Sequence, residues 1–125
     1  MSDTERLERL VADEVGECCA DDVAERLEEL SVLADGVPDP ESDLSALSAL
    51  ASETRYRLCR LLAAGGERCV CELYPVVDVS ESATSHALST LADAGLVARR
   101  EAGKWHYYRA TDRAEALLAV LDETR

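Results

Sequence analysis

Apolar positions recur at helical spacing along most of the chain and switch to alternation in one stretch near its C-terminal end. Leu7, Leu10, Val11 and Val15 fall at i, i+3, i+4 and i+8, which predicts an amphipathic helix that Gly16 ends. Asp22 and Glu25 have capping-box spacing and predict the start of a second helix with Val23, Leu27, Leu30 and Leu33 on one face. The turn-rich stretch 35–40 (Asp-Gly-Val-Pro-Asp-Pro) reads as a linker. Beyond it, Leu44, Leu47, Leu50 and Ala51 predict a short helix. Ser52 is placed to cap the next, in which Leu58, Leu61 and Leu62 form the buried stripe and Gly65-Gly66 stop it.

Residues 69–74 read as one or two helical turns. Pro75 shortens or kinks them, because it lacks the N–H that the Cys71 carbonyl would accept. Ser80 is the predicted N-cap of a helix running to about Ala94, with Ala83, Leu88 and Leu91 inward and Gly95 closing it. Residues 96–101 and 105–109 are strand-like and joined through Ala102-Gly103-Lys104. Asp112 and Glu115 then predict the cap of a final helix with Leu117, Leu118 and Leu121 on its apolar edge.

Two short helices followed by a hairpin is the order of a winged helix-turn-helix, so the fold expected is mainly α with a small β-hairpin. Residues 1–38 form an acidic helical extension and 39–125 the winged domain. In such a domain the second helix enters the major groove and the hairpin grips phosphate. The outward positions predicted on that helix are Ser80, Glu81, Ser82, Thr84, Ser85, His86 and Ser89; on the hairpin they are Arg99, Arg100, Lys104 and Arg109.

Net charge changes this picture only in part. The total of −13 is unsuited to nucleic acid, yet residues 1–53 hold 3 basic and 16 acidic side chains, and residues 54–125 hold 10 of each. Lys104 is the only lysine. Many carboxylates with almost no lysine is the surface of a protein dissolved in molar salt, which predicts a halophilic, archaeal source. No run approaches the ~20 apolar residues of a membrane span, and the polar N-terminus has no signal-peptide core, so a cytoplasmic protein is expected.

Five cysteines stand at 18, 19, 59, 69 and 71. An odd count in clustered spacing suits metal or redox chemistry better than a disulfide framework. Cys59 lies in an apolar helix and is read as core. Cys69 and Cys71, close together near a helix start, suit a soft ion: Zn(II), Cd(II), Pb(II), or trivalent arsenic or antimony. Two thiolates rarely complete a site, and Cys18 and Cys19 are the candidates to do so.

Several of these segments together resemble the ArsR/SmtB family of metal-responsive repressors over roughly residues 44–110. Cys69-Val-Cys-Glu-Leu73 is similar to that family's metal-binding box. Residues 78–88 (DVSESATSHAL) are similar to its reading helix, and Gly103-Lys-Trp-His-Tyr-Tyr-Arg109 to its wing. The resemblance implies a homodimer held by the first and last helices, here through residues 7–15 and 117–121, that represses until metal binds. It also implies, from the family's cadmium/lead sensors, that Cys18 and Cys19 of one subunit join Cys69 and Cys71 of the other. Two departures stand out. Glu81 replaces a frequent Gln, so base preference does not carry over. Tyr74 occupies the position of the third cysteine of the arsenic sensors. The family's other metal site, of Asp and His on the last helix, has no His here.

The function expected is a repressor of a double-stranded DNA operator, released by a thiophilic metal or metalloid ion. A thiol-redox-responsive regulator and a ligand-free winged-helix regulator are the alternatives. An enzyme is not expected, since the only histidines, His86 and His106, fall on the reading helix and the wing.

Overall fold

The computed structural model describes residues 4–16 and 20–125. These fall into two compact units that divide between Asp39 and Pro40. The first holds helices α1 (Glu5–Val15) and α2 (Ala20–Asp35). Gly16 closes α1 in the left-handed region, φ 82°, where its N–H reaches the Ala12 carbonyl. Among the described residues of this unit Val11 and Val23 are buried, and Arg26 of α2 pairs with Glu14 of α1. Asp22 is not the cap of α2. The helix begins two residues earlier, leaving Asp21 and Asp22 in its first turn, where carboxylates complement the helix dipole.

The second unit runs α3 (Pro40–Leu50), α4 (Glu53–Gly65), β1 (Arg68–Cys69), α5 (Val70–Val77), α6 (Glu81–Asp93), β2 (Val97–Ala102), β3 (Trp105–Ala110) and α7 (Asp112–Glu123). Its core gathers Leu58 and Leu62 of α4, Leu73 and Val77 of α5, and Leu88 and Leu91 of α6. Leu96, Tyr108 and Leu118 complete it. Cys59 is fully buried in that core, as expected, and burial pushes its thiol pKa up.

Some local details depart from the sequence reading. Helix α3 stands where the leucine spacing predicts it; its buried residues are Ala46 and Ala49, Leu50 packs against the core, and Leu44 and Leu47 are exposed. Ser52 caps α4 as expected. The cap of α7 is Thr111, not Asp112: its Oγ1 accepts from the Ala114 N–H at 3.3 Å and donates to the Gly95 carbonyl at 2.8 Å. Helix α5 continues two residues past Pro75 and ends at Asp78, φ 58°, a left-handed conformation that Asp tolerates.

The hairpin carries a third strand, of whose two residues the sequence reading placed Cys69 in a helix and Arg68 in no element. The sheet order is β1-β3-β2, antiparallel throughout. Arg68 faces Tyr108 and Cys69 faces Tyr107 across β1–β3, while Arg100 faces Tyr107 and Arg99 faces Tyr108 across β2–β3. Two residues are too short a run for periodicity to reveal a strand.

Candidate nucleic-acid interface and thiol pair

Helix α6 follows α5 after a short turn. Ser80 caps it, its Oγ accepting from the Ala83 N–H at 3.0 Å. Glu81, Ser82, His86 and Ser89 are exposed beyond the cap and Ser85 is half-buried, so the early outward face is short and polar. Thr84 was expected on that face and is not there: it is 0% exposed. Thr84, Ala87, Leu88 and Leu91 form the inward stripe at i, i+3, i+4 and i+7, and Ala83, expected inward, is exposed. Buried there, Thr84 cannot meet a base edge, and its Oγ1 has no hydrogen-bond partner among the described residues.

No lysine or arginine lies on α6, whereas Arg99, Arg100, Lys104 and Arg109 lie on the hairpin. Gly103, φ 61°, makes the turn at its tip, where Lys104 lies over the Trp105 ring, 5.5 Å from its centroid. Arg99 donates to Glu101 at 3.0 Å and to Nδ1 of His106 at 2.7 Å. Arg100 is held more fully. Its Nε and a terminal nitrogen donate to both carboxylate oxygens of Glu67, at 2.6–3.2 Å, and its guanidinium lies 4.8 Å from the Tyr107 centroid. Hydrogen bonds from Arg100, with the charges of Arg100 and Arg109, hold the Glu67 carboxyl below the usual range. Glu67 and Tyr107 were missed in the sequence because 33 residues separate Glu67 from Arg100 and only strand pairing brings them together.

The thiol pair sits where the sheet meets the first helix of the helix-turn-helix. Cys69 ends β1 and is the N-cap of α5: its sulfur accepts from the Cys71 N–H at 3.4 Å, and its own N–H donates to Glu72 at 3.1 Å. Arg68 donates to the other Glu72 oxygen at 3.1 Å. The Cys71 sulfur is 2.8 Å from that of Cys69, and this hydrogen bond, with partial burial, raises the Cys71 thiol pKa. Cys69 is nearly buried and Cys71 exposed, so the pair is open from the α5 side. The donor set fits a soft ion as two of its ligands. Among the described residues no cluster of three or more His, Cys, Asp or Glu is placed to hold a metal. Cys18 and Cys19, the ligands expected to complete the site, lie outside the described residues.

This geometry has counterparts in known proteins. Residues 52–99 match the model of the bacterial regulatory proteins of the arsR family. The chain is 54% identical over 128 residues to a Halobacterium salinarum protein assigned as the arsenical resistance operon repressor ArsR, covering all of this chain and 99% of that one. It is 40% identical over 75 residues to the arsenical resistance operon repressor of Escherichia coli, covering 59% and 64% of the two chains. Among solved structures it is similar to the homodimeric winged helix-turn-helix DNA-binding domain of a possible ArsR-family regulator from Mycobacterium bovis. That match has a TM-score of 0.61 and 29% identity, and covers 66% of this chain and 76% of that one. No helix among the described residues is long and apolar enough to cross a membrane. A reading helix, a three-stranded wing and an end-to-end relative agree, and the chain belongs to the arsR family of winged-helix transcriptional regulators, DNA-binding proteins rather than enzymes.

Proposed function

We propose that this chain is a homodimeric repressor that holds its operator when free of effector and leaves it when Cys69 and Cys71 bind a thiophilic ion, trivalent arsenic first among them. The observation that carries this reading is the contact of the two sulfurs, 2.8 Å apart, at the N-terminus of α5. The names of the Halobacterium and Escherichia relatives support arsenic as the effector. Cys18 and Cys19 of the partner subunit supply the remaining thiolates. A soft ion bound there contributes strong bonds to sulfur and holds the thiols as thiolates.

The chain's own residues supply the DNA contact. Ser80, Glu81, Ser82, Ser85, His86 and Ser89 present the groove-facing surface of α6, while Arg99, Arg100, Lys104 and Arg109 approach phosphates. The Mycobacterium structure supports a dimer, and exposed Val120 and Leu121 on α7 with Leu44 and Leu47 on α3 supply apolar surface for a second copy to cover. In the dimer the two reading helices reach successive major grooves about 34 Å apart. A coupling of about 1–3 kcal/mol between thiol pair and DNA is enough for a 5- to 150-fold release.

The test is anisotropy of labelled duplex from the gene's own upstream region, in high KCl with reduced protein, titrated with arsenite, Cd(II) and Zn(II) in turn. Saturable binding reversed by arsenite is expected; binding that ignores every ion removes the effector reading. The same sulfur contact favours one second reading, a regulator in which Cys69 and Cys71 oxidise reversibly. Release by peroxide with no response to any ion selects it.

A further inference from the structure

The wing's two adjacent arginines are both held by carboxylates of this same chain. For Arg99 the partner is Glu101, on the same strand. For Arg100 it is Glu67, which lies outside the hairpin in the turn between α4 and β1. Glu67 meets Arg100 as a fork, with both oxygens on the guanidinium edge, and Tyr107 supports the guanidinium from its face. That arrangement is also how arginine takes a phosphate: two oxygens on one edge, with the plane held by an aromatic ring. Both side chains keep access to solvent, Arg100 at 56% and Glu67 at 31%, so an incoming anion can reach the pair.

We propose that Glu67 occupies the phosphate position of Arg100 in the free protein, and that a DNA backbone phosphate displaces it when the wing docks. Glu67 is then an intramolecular competitor that sets DNA affinity, and Tyr107 the platform that keeps Arg100 in place through the exchange. An exposed carboxylate–guanidinium pair is weak enough for this, and a backbone phosphate brings counterion release that the carboxylate lacks. The inference rests on DNA binding through the wing and needs no effector.

The experiment measures affinity for the upstream duplex as a function of KCl, without any ion, for the wild type, Glu67→Gln, Arg100→Gln and the double variant. Glu67→Gln is expected to bind about three-fold tighter, because the competitor is gone while the shape is kept. Arg100→Gln is expected to bind more weakly, with a log K against log [KCl] slope shallower by about 0.9, one phosphate contact. In the double variant the gain from Glu67→Gln disappears. An unchanged slope in Arg100→Gln overturns the proposal, since a merely structural arginine changes wing order without changing the count of phosphates. Unchanged or weaker binding by Glu67→Gln overturns it as well. Circular dichroism of each variant confirms that the comparison is between folded proteins. Absence of wild-type binding to any duplex overturns the DNA-binding reading itself and is distinct from both results.

Discussion

Cys69 and Tyr107 face each other across β1 and β3, and Tyr107 faces Arg100 across β3 and β2. One row across the sheet therefore runs from a thiol to a cation of the wing, with the Arg100 guanidinium stacked on the ring in its middle. Directly opposed residues in an antiparallel pair have their Cβ atoms about 4.5–5.5 Å apart, so a shift at one is felt at the next. Cys69 also caps α5, which places the same sulfur at the start of the helix-turn-helix.

Hydrogen exchange tests that placement. Arsenite added to the reduced protein is expected to change amide exchange in peptides covering 67–77 and 105–110 while leaving the C-terminal half of α7 as it was. A response confined to α7 would mean that the sheet row does not carry the signal.

Thr84 gives a stability prediction opposite in sign to most core substitutions. Its hydroxyl is fully buried with no hydrogen-bond partner among the described residues. Thr84→Val keeps the shape and removes that group, so it is expected to stabilise the protein by about 1 kcal/mol in urea titration, with DNA affinity unchanged. A loss of stability, or a loss of DNA binding in the folded variant, would contradict the inward assignment.

The two hydroxyl caps differ in load. Ser80 holds one backbone N–H, whereas Thr111 holds one N–H and also ties the Gly95 carbonyl. Ser80→Ala is expected to cost about 1 kcal/mol and Thr111→Ala more, toward 2 kcal/mol. Thermal melts of the two variants side by side check the order.

Asp122 anchors α7 to α4 through Arg60 at 2.9 Å. The hydrogen bond from Arg60, then its charge and that of Arg125, lower the Asp122 pKa in the folded state. A depressed acid stabilises above its unfolded pKa of about 3.9, and that contribution is lost as pH falls through the lower folded value. Asp122→Asn is therefore expected to be less stable than the wild type at pH 6, with the gap closing as pH falls below the unfolded value of about 3.9. A gap independent of pH would show that the ion pair is not its source.

What the sequence made legible followed from strong local signals. Ser52, Ser80, Gly16 and Gly65-Gly66 mark helix ends by chemistry that acts within a turn, and each stands where it was read. The Cys-x-Cys pair was visible because its two members are close in the chain. Three features were not legible for physical reasons. Thr84 looks polar and packs like valine. Strand β1 and the Glu67–Arg100 pair depend on contacts between distant segments, which no local periodicity encodes.

In the function proposed, Cys69 and Cys71 report the effector to the DNA-binding surface. Serine at both positions keeps a capping oxygen at the start of α5 and removes the thiolates. Anisotropy of the upstream duplex, with arsenite added to wild type and to the Cys69→Ser/Cys71→Ser protein at equal starting saturation, tests it most directly. Arsenite is expected to release the wild type and to leave the double variant bound. Release of both to the same extent would contradict it.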